Sequence, residues 1–192
     1  MSREKVRSII QSSIEVKRSI YDSEPLLKQI TDLAALCLQS LKAGGKIIFA
    51  GNGGSFADSQ HLAAEFISRL QFDRDPLASV ALGTNSSSTT AIGNDYGYDQ
   101  VFVRELKAIA LPGDVFIPIS TSGNSQNILA TLETAKAKNL HVVGLTGESG
   151  GKLKSLVPCI CVPSSRTERI QESHIMIGHI ICGLVEDGYF LS

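Results

Sequence analysis

His61 and Glu65 stand four residues apart, and side chains at that spacing share one face of a helix. A histidine and a carboxylate on one face suit a metal ion, or a general base with its orienting partner. The same spacing also serves an ordinary surface pair. Leu62, Ala63, Ala64 and Phe66 around them are apolar and would partly desolvate the carboxylate, as a base requires. A second polar set lies in the last apolar stretch, where Gln171, His174 and His179 sit among Ile170, Ile175, Ile177, Ile180, Ile181, Leu184 and Val185. One histidine in such a helix is commonly a hydrogen-bonded core residue. Two histidines and a glutamine together point towards a site. A third polar pair, Asn94-Asp95, would either cap a following helix or bind sugar hydroxyls.

Two loops have the makings of an anion site. Gly51-Asn52-Gly53-Gly54-Ser55 follows the apolar run ending at Ala50 and precedes a helical pattern. Glycines let the backbone approach a ligand, and a helix N-terminus supplies free N–H groups; the alternative is a plain strand-to-helix turn. The second loop, Ser120-Thr121-Ser122-Gly123-Asn124-Ser125, puts four hydroxyls ahead of a helix for which Ser125 is the expected N-cap. It contains no lysine or arginine, so it would hold a phosphate by oriented dipoles. Capping plus a polar turn is its alternative reading. Neither loop has the pattern of a triphosphate or dinucleotide site.

The elements that must position these groups follow from periodicity. Helices are expected over roughly 3–20, 24–42, 55–70, 98–110, 125–138 and 166–187. Short apolar runs at Lys46–Ala50, Ser79–Leu82, Asp114–Ile119, His141–Leu145 and Cys159–Val162 alternate with the later helices, which predicts a central five-stranded parallel sheet in a three-layer α/β/α fold, preceded by two N-terminal helices. Both candidate loops follow strands, where open α/β sheets place their ligands. A chain of 192 residues with 43% hydrophobic residues supports one substantial core, hence one domain over 1–192, with 1–44 as a helical extension within it.

With 18 basic and 19 acidic residues, the formal net charge is −1 and no basic stripe marks a nucleic-acid groove or a membrane surface. No apolar stretch reaches the roughly 18 residues of a span, and the N-terminus lacks a signal-peptide h-region. Cys37, Cys159, Cys161 and Cys182 read as reduced core residues without metal-site spacing, so a cytoplasmic location is expected.

The strings GNGGSFADSQHLAAEF, AIGNDYGYD, ISTSGNSQNIL and RIQESHIMIGHI, in this order, resemble the phosphoheptose isomerases of the SIS-domain superfamily, and the resemblance covers nearly the whole chain. It implies conversion of D-sedoheptulose 7-phosphate to D-glycero-D-manno-heptose 7-phosphate through an enediol, at the first step towards activated heptose for lipopolysaccharide or capsule. It also implies one zinc ion (Zn2+) per subunit and a homotetramer. By position, Asn52, Gly53, Gly54, Glu65, Asn94, Asp95 and Gln171 would bind the phosphorylated seven-carbon sugar, and Ser120, Thr121, Ser122 and Ser125 its phosphate. His61, Glu65, Gln171 and His179 would hold the metal, with Glu65 and His179 as the catalytic pair. The chain departs from the family's usual residues at Asn85-Ser86-Ser87-Ser88 and at Thr167-Glu168. A non-catalytic SIS-domain protein that binds a phosphosugar or a replication initiator is the alternative; the retained His61, Glu65, Gln171 and His179 speak for an enzyme. Gln171 and His179 lie eight residues apart, about 12 Å along a helix, so the site is expected at contacts between subunits.

Overall fold

The computed structural model describes residues 2–191. Two helices, α1 (Arg3–Tyr21) and α2 (Glu24–Lys42), lead into β1 (Ile47–Gly51), α3 (Gly54–Ile67) and β2 (Ser79–Ala81). Then come α4 (Ser86–Tyr96), a 3₁₀ turn at Tyr98–Gln100, α5 (Val101–Ile109), β3 (Val115–Ile119) and α6 (Gln126–Ala137). The chain closes with β4 (His141–Val142), β5 (Gly144–Gly147), α7 (Gly151–Leu156), β6 (Cys159–Val162) and α8 (Thr167–Phe190).

The sheet is wholly parallel, in the order β2-β1-β3-β5-β6, with β4 also against β3. The fourth expected strand, His141–Leu145, is therefore two short pieces, β4 and β5, broken at Val143. Alternation along the strands makes two cores. Ile47, Phe49, Val115, Ile117 and Ile119 pack with residues of α2, α3 and α8 on one face. Ile48, Ala50 and Phe116 pack with residues of α5 and α6 on the other. This is the expected three-layer arrangement.

Several boundaries differ from the sequence reading, for physical reasons. The helix expected over 55–70 stops at Ile67, where the Arg74 guanidinium takes the carbonyls of Glu65, Phe66 and Ser68. The stretch 98–110 begins as a 3₁₀ turn before α5. Helix α4 was not expected: it has no buried residue, so it carries no apolar periodicity. Asn85 starts it by accepting from the Ser88 N–H, and Thr90 bonds back to the Ser86 carbonyl. The short α7 also went unanticipated. All four cysteines are free thiols, and no helix among the described residues is long and apolar enough to cross a membrane.

In the β1–β3 register Gly51 faces Ile119. The glycine loop and the hydroxyl loop therefore start level, side by side, at the carboxyl edge of adjacent strands.

Candidate active site

The hydroxyl loop is held by its neighbours. Gly123, at φ 65°, donates to the Ser120 carbonyl, and its own carbonyl accepts from Leu153 N–H. Any Cβ at Gly123 would collide with the backbone of Gly150, so only glycine permits this approach. Gly147 N–H donates to the Thr121 carbonyl. Ser125 occupies the N-cap position of α6 without making a capping bond; its Oγ lies 3.1 Å from Ser120 Oγ instead. The hydroxyls of Ser120 and Ser125 are thus gathered rather than spent on capping. Thr121 and Ser122 line a polar cleft of about 240 Å³ with Glu148, Ser149, Ser164 and Thr167.

The second cluster lies where α3 and α8 run alongside one another. Gly178 lets them approach closely, since a Cβ there would strike the Leu62 side chain. His61 Nε2 is 3.1 Å from Glu65 Oε1 and 2.9 Å from His179 Nε2. One ligand atom from each of His61, Glu65 and His179 fits within 4.8 Å of the other two. Two imidazole nitrogens and one carboxylate oxygen gathered this closely are the donor set of a zinc site with an open position. The residues therefore fit the metal that the family resemblance implies. Spacing joins His61 to Glu65 and the resemblance names His179 with them; the fold brings His179, 118 residues away, against His61.

Gln171 is placed elsewhere in the chain. Its side-chain amide lies against Gly54 at the start of α3, seven residues, or about 10 Å of helix, before His61. Asn94 and Asp95 are exposed on the last turn of α4, where Asn94 Nδ2 donates to Asp95 Oδ1. They cap no following helix. His174 is a core residue, as the simpler reading allowed: it is fully buried, with Nε2 3.1 Å from the Thr146 carbonyl. Burial pulls its imidazole down to about 4, so it is neutral and takes no part in the cluster.

Four residues that sequence reasoning missed belong to the surroundings. Asp58 precedes His61 by one turn, so Asp58, His61 and Glu65 fall on one stripe. Its Oδ2 is buried without a hydrogen-bond partner. Burial pushes this carboxyl up to about 6, against the pull of His61. The i, i+3, i+7 spacing was the available signal. Arg74 reaches back to α3 as described above. Tyr98 and Asn127 both hydrogen-bond to Asn52, and no local pattern announces those contacts.

A family comparison agrees with this geometry. The SIS domain family model matches residues 11–147. The phosphoheptose isomerase of Aneurinibacillus thermoaerophilus is 55% identical over 186 residues, covering 96% of this chain and 94% of that protein. The solved structure of phosphoheptose isomerase GmhA from Neisseria gonorrhoeae superposes with a TM-score of 0.90 at 41% identity, covering 96% of this chain and 98% of that one. The phosphoheptose isomerase from Francisella tularensis gives a TM-score of 0.91 at 33% identity over 97% and 99% of the two chains. With its hydroxyl loop and its His-Glu-His cluster in place, the chain belongs to the phosphoheptose isomerase family of SIS-domain proteins.

Proposed function

We propose that this chain is an aldose–ketose isomerase that converts D-sedoheptulose 7-phosphate to D-glycero-D-manno-heptose 7-phosphate. The observation that carries the reading is the meeting of His61, Glu65 and His179 within 4.8 Å, in a fold whose hydroxyl loop has the groups to hold a phosphate. Ser120, Thr121, Ser122, Ser125 and the free N–H groups of α6 bind the phosphate and fix the reacting end of the sugar. Asn52, Gly53, Gly54, Asn94, Asp95 and Gln171 contact the sugar chain. Glu65 takes the proton from C1 of the ketose, the electron pair forms the C1–C2 double bond of a cis-enediol, and His179 protonates O2. Return of the proton to C2, with loss of the O1 proton, gives the aldose. Zinc held by His61, Glu65 and His179 would supply polarisation of the carbonyl.

The assembly we infer is a cytoplasmic homotetramer of single-domain subunits. Val6, Ile10 and Ile14 on α1 are each more than half exposed, and Ile180 and Leu184 on α8 are also open, an apolar surface that a second copy would cover. Ile170, beside the hydroxyl loop, precedes His179 by nine residues, about 13 Å along α8. A hydroxyl loop paired with the cluster of a neighbouring subunit closes that gap, and would bring Gln171 to the neighbour's metal set. The test of the activity is incubation of the purified, zinc-loaded protein with sedoheptulose 7-phosphate, followed by NMR. Aldose signals should grow to an equilibrium mixture. No aldose with this substrate would overturn the reading.

A further inference from the structure

Asn127, the second residue of α6, is 3% exposed. Its amide is not used within its own helix. Asn127 Nδ2 donates to Asn52 Oδ1 and Asn52 Nδ2 donates to Asn127 Oδ1, both at 2.9 Å. This closed amide pair spans 75 residues of sequence and bridges the two site loops. Tyr98 OH also donates to Asn52 Oδ1, at 3.0 Å. The Asn52 carbonyl oxygen thus accepts twice inside the protein. What remains for a ligand is one amide N–H and the backbone of the glycine loop.

Asn127 lies two residues beyond Ser125, so it is rigidly connected to the hydroxyl loop. Its partner Asn52 opens the glycine loop beside Gly53, which has φ 57°. The sheet sets the level of the two loops through the Gly51–Ile119 pairing, and the amide pair then fixes their separation. We propose that Asn127 is a positioning residue that sets the spacing between the phosphate-holding loop and the glycine loop, and through it the length of sugar phosphate accepted. The inference rests on the isomerase reading above. A buried amide with both partners in place is strongly directional, and removing one partner leaves the other unsatisfied.

Asn127→Asp is nearly isosteric but replaces a donor by an acceptor, which sets oxygen against Asn52 Oδ1. The experiment compares the parent protein with Asn127→Asp, using sedoheptulose 7-phosphate, a five-carbon ketose phosphate and inorganic phosphate as competitor. The expected result is a KM for the seven-carbon substrate raised about ten-fold, the loss of one to two hydrogen bonds. Inhibition by inorganic phosphate should be unchanged, and the preference for seven over five carbons should shrink. A phosphate inhibition constant that rises in step with KM would make Asn127 a structural support of the hydroxyl loop only, and an unchanged KM and preference would remove any role; either result overturns the inference. Tyr98→Phe, at an exposed position, tests the same link without threatening the fold. It should raise KM in the same direction by a smaller factor with phosphate inhibition unchanged, and no rise counts against the proposal. A parent protein that fails to isomerise the sugar refutes the isomerase reading instead.

Discussion

Arg74 and Glu186 form a buried ion pair, Nε to Oε1 at 2.8 Å with side chains 3% and 1% exposed, that ties the end of α3 to α8. Glu186 also accepts from the N–H groups of Leu70 and Gln71, while Arg74 donates to the carbonyls of Glu65, Phe66, Ser68 and Asp75. The pair therefore caps the helix that carries Glu65 and anchors the one that carries His179. Removing one partner leaves an uncompensated buried charge, which costs about 3–5 kcal/mol. Arg74→Ala should lower the urea-unfolding free energy by that amount. A loss below about 1 kcal/mol, the range of exposed pairs, would show the clamp to be unimportant.

The pair also contributes to acid sensitivity. Burial disfavours the Glu186 carboxylate, but the N–H groups of Leu70, Gln71 and Arg74 outweigh it, and its pKa falls below the ordinary 4.5. His174 moves in the same sense, from 6.5 to about 4, because burial disfavours the imidazolium. A group whose folded pKa is depressed contributes stability above its unfolded pKa and loses it as pH falls through the folded one. His174 therefore contributes a decline in stability between pH 6.5 and 4 as it is forced to charge, opposed over part of that range by Asp58, whose carboxyl is raised to about 6 by burial. Glu186 contributes a further decline below 4.5 as it is protonated. His174→Gln should flatten the upper part of this decline in urea midpoints taken across the pH range. A profile identical to the parent's between 6.5 and 4 would contradict the assignment.

The sequence made the layers and the two loops readable because strand and helix periods are local. The strong β runs at 47–51 and 115–119 and the apolar faces of α2 and α8 needed no tertiary information. Helix α4 was invisible for the complementary reason: its caps are local, but with no buried residue it has no apolar stripe to betray it. His61 and Glu65 are paired by spacing, whereas only the family resemblance joins His179 to them in the sequence, and the parallel packing of α3 on α8 is what brings it to 2.9 Å from His61. Arg74–Glu186 and Asn52–Asn127 are bonds across 112 and 75 residues. Nothing in a local window distinguishes those residues from solvated ones.

Glu65→Gln keeps the shape of the side chain and removes the base. The expected outcome is a fall in kcat on the order of a hundred-fold or more, with KM little changed. Zinc content measured on the same preparation separates loss of the base from loss of the metal. Near-normal turnover would exclude Glu65 as the base.

Ser122→Ala combined with Ser125→Ala should weaken phosphate binding. Each hydrogen bond to a charged group is worth about 1.5–3 kcal/mol, so KM for the sugar phosphate and the inhibition constant for inorganic phosphate should rise together by at least about a hundred-fold. Equal competition by phosphate in parent and variant would place the anion elsewhere.

The last prediction concerns which chain supplies which group. Glu65 and His179 meet within one chain, with His61 between them. Mixed oligomers of Glu65→Gln and His179→Ala should therefore recover no activity, because every cluster carries one defect. The hydroxyl loop stands about 13 Å of helix from that cluster in the same chain, so a site built across a subunit contact takes its loop from the neighbour. Co-refolding Glu65→Gln with the Ser122→Ala, Ser125→Ala double variant should then restore part of the activity, since some sites combine an intact cluster with an intact loop. Recovery in the first mixture would place Glu65 and His179 on different chains in the working enzyme. Absence of recovery in the second, in oligomers verified to be mixed, would show that a single chain supplies both the phosphate loop and the catalytic pair.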